Sequence, residues 1–235
     1  MRTFRRAVEA GEGAAQLLGA LVASPFRRTA HRTWGSTSEE RDAVFPGDDL
    51  LPSPCRVSTR ALTVDAPPQS VWPWLAQVGQ GRGGLYSFDV LENLARCDIH
   101  TAEVILPQHQ HLEAGDLIRM GAPAGYPCYR VVMVEEPQAL VLVGADPHTT
   151  QAVSMPPAPG TGGATWQWSL RPIDGGRRTR LVTRHRLACP AGQRILWRLI
   201  EPVEFVMERR MLRTLKAKAE RSSPQTATAP APSHS

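Results

Sequence analysis

Between Arg194 and Arg221, apolar residues recur at Leu196, Ile200, Val203, Met207 and Met211, steps of three and four that fall on one face of an α-helix. Leu199 and Val206 widen this stripe. Arg209, Arg210, Arg213, Lys216 and Lys218 crowd the C-terminal half, where cations suit the negative pole of the helix. Pro202 lacks an amide hydrogen and crowds the preceding turn, so a kink is expected there, or a short turn followed by a fresh start. The strand-like segments upstream then serve as the sheet this helix lies against.

Those segments come in a definite order. Residues 57–64 (VSTRALTV) alternate as a strand does. Asp65 offers a cap and Pro67 or Pro68 a first-turn residue, which predicts a helix over Ser70–Val78 with Val71, Trp74, Leu75 and Val78 inward and Pro73 tolerated near its start. A glycine-rich turn, residues 79–84 (GQGRGG), leads to a second helix from Phe88 to about Arg96, capped by Ser87. Five strands follow: Asp116–Met120, Tyr129–Val134, Ala139–Gly144, Thr165–Arg171 and Arg178–Leu187, each bounded by Gly, Pro or Asp. The alternation of Tyr129, Val131 and Met133, and of Trp166, Trp168 and Leu170, marks a sheet with a covered face. Asp174-Gly175-Gly176 is a hairpin signal between the last two strands. Residues 146–163, rich in Pro, Gly and Thr, read as a mobile loop.

At 235 residues and 42% hydrophobic content the chain can bury one good core. We divide it into a helical extension (1–33), one domain with an N-terminal arm (34–221) and an uncharged Ser/Pro/Thr/Ala tail (222–235) expected to be disordered. In the arm, Thr37 or Ser38 is placed to cap a short acidic helix. Ala14, Leu17, Leu18 and Leu21 share one face of a short amphipathic helix. Its apolar run is too short to span a bilayer, and Glu9, Glu12 and Pro25 argue against a signal peptide. With Arg27, Arg28 and Arg32 behind it, that helix either packs on its own domain or touches an anionic membrane surface.

The net charge of +5 invites a nucleic-acid reading, but its distribution does not support one. Residues 1–33 carry six Arg against two Glu and residues 194–221 eight basic against four acidic, which leaves 13 basic and 16 acidic for the body. No basic patch interleaved with aromatics appears there. Cys55, Cys97, Cys128 and Cys189 include no CxxC, and a chain this long folds without disulfides, so reduced buried thiols and a cytosolic location are expected.

The order strand, two helices, antiparallel strands and long C-terminal helix resembles the START-like, SRPBCC-type superfamily, which includes polyketide cyclases, the birch-pollen allergen group and lipid-transfer domains. Residues 65–94 (DAPPQSVWPWLAQVGQGRGGLYSFDVLENL), 98–107 (DIHTAEVILP) and 201–212 (EPVEFVMERRML) carry the resemblance, in particular to an uncharacterised bacterial branch. It implies an α+β helix-grip fold, a curved antiparallel sheet wrapped around the last helix with a cavity between. It implies little chemistry, since that fold hosts carriers, cyclases, hydratases and chaperone cofactors.

Candidate chemistry must therefore come from the cavity wall. Asp89 and Glu92, three apart on one helix, form a carboxylate pair able to split its pKa values for acid/base work; the alternative is a solvated helix face. His100, with the H-x-H of His109 and His111, lacks Cys or Glu at a recognised metal spacing, so neither metal nor other cofactor is expected. Residues 79–84 match GxGxxG formally, but they follow a helix rather than a strand, which leaves a flexible turn that lets Gln80 and Arg82 approach a bound molecule. We expect Arg82 either to pair with Asp89 or to meet an acidic ligand group, and favour the second. His185 shares a strand face with Leu181, Thr183 and Leu187, opposite Arg184 and Arg186; the leucines favour His185 as the inward residue. No GxSxG, P-loop or HExxH occurs.

Two functional classes follow. One is a binder or carrier of a small, mostly apolar molecule, with Trp72, Trp74, Tyr86, Trp166 and Trp168 as wall or rim, Met207 on the helix, and Gln80, Arg82, Asp89, Asn93, His100 and His185 as polar contacts. For each tryptophan singly, ordinary core is the stronger reading. The other is a cyclase- or hydratase-like enzyme using Asp89, Glu92 or His100. A membrane-surface partner acting through basic termini is a third.

Overall fold

A computed structural model of the chain describes residues 2–122, 124–190 and 192–223. Helix α1 (Arg2–Arg32) bends at Arg27 and is followed by a short helix, α2 (Ser38–Asp42). Of the two expected cap residues it is Thr37 that caps α2, closing a reciprocal capping box with Glu40. Strand β1 (Arg56–Val64) leads to α3 (Pro68–Ala76) and α4 (Asp89–Leu94). The remaining strands are β2 (Leu117–Arg119), β3 (Cys128–Glu135), β4 (Ala139–Ala145), β5 (Gly163–Ile173) and β6 (Arg178–Ala188), and helix α5 (Arg194–Ser222) closes the chain. The six strands form one antiparallel sheet in the order β1-β6-β5-β4-β3-β2, with a bulge between Val131 and Met133. This is the α+β helix-grip arrangement, a curved sheet with the long last helix across it. Positive φ angles at Asp174, Gly175 and Gly176 make the β5–β6 turn that the Asp-Gly-Gly sequence anticipates.

Cross-strand register sets the inner face in rows. Ser58, His185, Trp166, Leu142 and Val131 align across five strands, and Arg60, Thr183, Trp168 and Leu140 across four. The inward reading of His185 therefore holds. Above the far part of the sheet, Met211, Leu212, Leu215 and Ala219 of α5 pack with Val71, Leu75, Leu170 and Leu181 into the main core. The back of the sheet is covered too, by the arm. Phe45 packs on Ala61 and Val182. Arg184 donates to Asp48 (2.6 Å) and to the Ala43, Glu40 and Arg41 carbonyls, Arg180 to Glu40 (2.7 Å), and Gln167 to the Pro46 carbonyl. Alternation is lost as a burial signal in β5 because Thr165 and Gln167 are buried there as well as Trp166 and Trp168.

Several expectations are corrected. On α5, Leu196, Ile200 and Val203 are exposed, and the buried face runs through Glu201, Phe205, Glu208, Leu212 and Leu215, rotated from the apolar stripe; of the widened stripe, Val206 and Met211 are buried. The cause is that β1 presents Arg56 and Arg60 to the first half of the helix, so carboxylates are what pack there. Pro202 lies inside one continuous helix, and the Arg198 carbonyl, whose intrahelical donor a proline cannot supply, accepts from Arg28 Nη1 at 3.4 Å.

Helix α1 is 31 residues long and docks on α5 and α4. Leu17 and Ala20 meet Phe88, Phe205 and Val206, while Ala14, Leu18 and Leu21 face away. Asp65 does not cap α3; it pairs with Arg178 (2.7 Å) and Lys216 (3.3 Å). Ser87 does not cap α4 and instead donates to the Met207 carbonyl. Cys55 and Cys189 form a disulfide between the start of β1 and the end of β6, whereas Cys97 and Cys128 are buried thiols. This removes the ground on which a cytosolic location was expected. From residue 224 on, the expected disordered tail lies outside the described residues. Among the described residues no helix is long and apolar enough to cross a membrane.

Candidate functional site

A cleft of about 440 Å³ opens where the first turns of α5 pass over the ends of β3–β6. Its walls are mostly apolar: Pro127, Ala145, Pro147, Val153, Ala164 and Leu187 from the sheet and its loops, Trp197 and Ile200 from the helix. Tyr129, His185, Arg56 and Glu204 also line it, as a polar cluster. Strand alternation places them. Arg56 and Ser58 are on the inward side of β1, His185 on that of β6 beside Trp166, and Tyr129 leans between the Trp166 ring (5.6 Å) and the imidazole (6.3 Å).

Behind this cluster lies a buried ion network. Glu201, Glu204 and Glu208 occupy positions i, i+3 and i+7 of α5, hence one face. Glu201 receives Arg32 Nε (2.7 Å) and Arg28, Glu204 receives Arg56 and Arg60 (3.4 Å), and Glu208 receives Arg60 and the Thr183 hydroxyl (3.0 Å), which in turn accepts from Trp166 Nε1 (2.9 Å). Arg60 Nε also donates to the His31 carbonyl, and the His31 ring stacks on Phe205 at 4.2 Å. Burial works to raise the Glu204 pKa, but Arg60, His185 and Arg56 outweigh it and hold the carboxyl below its ordinary value. Burial pushes His185 down to about 4 against the pull of Glu204, so the imidazole is neutral at pH 7. Its Nδ1 is 3.7 Å from Glu204, and its buried Nε2 has no hydrogen-bond partner. The same burial raises the Tyr129 phenol, which stays protonated. The cluster thus offers an ionised carboxylate, a neutral imidazole and a phenol to an apolar cavity.

Of the residues proposed from sequence as site residues, His185 alone lines this cleft. Trp72, Trp74, Tyr86, Trp166 and Trp168 are all buried in the main core, Trp166 adjoining the cluster through its edge-on contact with His185 (4.9 Å). Met207 is half-buried on α5, toward α1 and α4. The remaining polar candidates hold loops together. Asp89 accepts from the Thr101 amide (2.8 Å) and hydroxyl (2.6 Å), and Asn93 both donates to and accepts from the Ile99 backbone. Gln80 reaches the Asp98 carbonyl at 3.5 Å. Arg82 neither pairs with Asp89 nor faces this cleft; it donates to the Ala76 (2.9 Å) and His109 (3.3 Å) carbonyls and clamps its own loop. The turn is tight rather than flexible: Gly79 and Gly84 bridge each other, and a Cβ on Gly84 would lie 2.8 Å from the His100 carbonyl oxygen. His100 is exposed and sits 3.0 Å from Asp98.

Glu92 does show the raised pKa expected of a carboxylate pair, about 8, caused first by burial and then by Asp89 and Glu9. It lies beneath α1, away from the cleft residues. No group of His, Cys, Asp and Glu able to hold a metal occurs among the described residues. Sequence reasoning missed Arg56, Tyr129, Trp197 and Glu204. A usable signal was present: two arginines four residues apart, hence on one face of a strand, and three glutamates at helical spacing on the last helix.

No family model matches the chain, and no curated protein matches it. Among solved structures, protein MLL2253 from Mesorhizobium loti is similar over 72% of this chain and 100% of its own, at 14% identity and a TM-score of 0.42. Ara h 8.0201 is similar over 70% of this chain and 97% of its own, at 9% identity and 0.42. CalU16 from Micromonospora echinospora covers 71% of this chain and 85% of its own, at 15% identity and 0.31. At these scores the likenesses bear on neither ligand nor reaction. The helix-grip assignment stands on the element order, sheet order and helix placement described above.

Proposed function

We propose that this protein binds or carries a small, mostly apolar molecule in the cleft between α5 and the ends of β3–β6, with the polar end of that molecule at His185, Glu204 and Tyr129. The observation that carries this reading is the composition of the cleft. About 440 Å³ of mostly apolar wall converges on one polar cluster, and within it the buried His185 Nε2 lacks a partner. That volume is in the range of small-molecule sites, and an unpaired buried nitrogen is a cost that a ligand hydroxyl or carbonyl-bearing group would relieve.

Organic extraction of the purified protein followed by mass spectrometry, together with titration of an apolar fluorescent probe, tests the reading. Ala164→Phe, which fills the cleft from β5, should abolish probe binding. An empty extract together with probe binding indifferent to that substitution would overturn the reading.

A second reading, acid/base chemistry of a cyclase- or hydratase-like kind, is favoured by one observation. A neutral imidazole next to an ionised carboxylate in an apolar cleft is able to accept a proton, which moves this reading from Asp89, Glu92 and His100 to His185 and Glu204. If an extracted ligand is returned to the protein and its mass and isomer composition stay unchanged, chemistry on that ligand is excluded.

A further inference from the structure

The corrected orientation of α5 leaves an unusual surface. Ile195, Leu196, Leu199, Ile200 and Val203 are between 38% and 73% exposed, five large aliphatic side chains on one side of the first three turns of a helix. Soluble surfaces carry such residues singly, and a cluster of this kind marks a docking face. Its surroundings are basic. Residues 13–32 contain no Asp or Glu and three Arg, and residues 192–203 contain a single acid, Glu201, which is buried against Arg32 and Arg28. Arg27 and Arg198 are exposed. Helix α1 runs antiparallel to α5, since Arg28 reaches Glu201 while Gln16 reaches Arg209, so its three arginines lie beside this end of α5. Ile200 belongs both to the exposed face and to the cleft wall.

We propose that this face docks on an anionic lipid bilayer, its aliphatic side chains in the interface and the arginines of α1 and α5 at the headgroups, with the mouth of the cleft toward the lipid. The last clause rests on the cleft as ligand site; the docking itself does not. A bilayer fits better than a protein surface because the patch is purely aliphatic, lacks the aromatic anchors of protein interfaces, and is flanked by positive charge with its one acid buried. This differs from a contact made by the N-terminal helix alone. In α1 the apolar residues Leu17 and Ala20 are used in packing, and the insertion is assigned to α5.

The test uses the full chain with phosphatidylcholine vesicles, with and without phosphatidylglycerol, at low salt. The protein should sediment with the vesicles containing phosphatidylglycerol and not with the neutral ones. Leu199→Glu, a change at an exposed position, should weaken partition at least about tenfold, and Arg198→Glu about fivefold or more. Both should keep the wild-type melting temperature and vesicle-free affinity for the apolar probe. The proposal is overturned if the wild type ignores both vesicles, if Leu199→Glu binds as the wild type does, or if Leu199→Glu dissolves a dimer formed without lipid, which would make a second copy the occupant. Vesicle binding by a protein that takes up no apolar probe would leave the docking face standing and refute the cleft as ligand site.

Discussion

Replacing Glu208 by Gln tests whether the buried ion network holds the first half of α5 on the sheet. Glu208 is buried, accepts from Arg60 and from the Thr183 hydroxyl, and stands in front of the Trp166 indole N–H that Thr183 receives. Gln keeps the shape and an acceptor for Thr183 but removes the charge facing a guanidinium that is 1% exposed. Breaking a buried pair by neutralising one partner costs about 3–5 kcal/mol, because the other charge is left buried. Arg60 retains Glu204 at 3.4 Å and the His31 carbonyl at 2.9 Å, so the lower end, about 3 kcal/mol, is expected.

Denaturant unfolding followed by far-ultraviolet circular dichroism, with the disulfide intact, measures it. The double variant Arg60→Met/Glu208→Leu should recover most of the loss, since a well-packed apolar pair is often as stable as the ion pair it replaces. In a double-mutant cycle the two sites should then couple strongly. A cost below about 1 kcal/mol for Glu208→Gln, with additive effects in the double variant, would refute the view that these charges depend on each other.

Stability should also fall by about 2 kcal/mol between pH 6.5 and 8. Unfolded Glu92 loses its proton near 4.5 while the folded side chain holds it to about 8, so the native state binds more protons across that window. Glu92→Gln should flatten the slope, and an unchanged slope refutes the assignment. Below 6.5 the trend should be opposed by His185, whose folded pKa of about 4 lets the unfolded state take up the proton first. Stability contributed by the neutral imidazole is therefore lost as pH falls, and His185→Phe should remove that component. Reducing the Cys55–Cys189 disulfide, which spans 134 residues of sequence, should lower stability by about 4–5 kcal/mol on the chain-entropy account, read as a drop in midpoint with dithiothreitol that Cys55→Ser reproduces. Arg82→Ala should lower stability by about 1–3 kcal/mol through its two lost carbonyl contacts and leave probe affinity unchanged; the reverse pattern would restore Arg82 as a ligand contact.

Local signals determined much of this protein. Alternation in residues 57–64, the Pro67-Pro68 helix start, the Asp-Gly-Gly turn and the long apolar-basic helix each act over a few residues, where steric and hydrogen-bonding preferences decide. Those elements in that order, with the segments that resemble START-like proteins, were enough for the helix-grip fold; Leu181 and Leu187 favoured an inward His185, but the register of the finished sheet decided it. Which face of α5 is buried was not legible, because the residues at Leu196, Ile200 and Val203 have the better hydrophobic period and only the arginines of β1 make Glu201, Glu204 and Glu208 the inward set. That choice is a long-range electrostatic one, between residues nearly 150 positions apart, and no periodicity within a single segment encodes it. The Cys55–Cys189 pair, the arm that buries Arg184 and Gln167 on the back of the sheet, and the docking of α1 against Phe205 are of the same kind. Each depends on which surfaces the finished sheet leaves to be covered, and the cleft, walled by the first turns of α5 and the ends of β3–β6, is likewise a property of the tertiary structure alone.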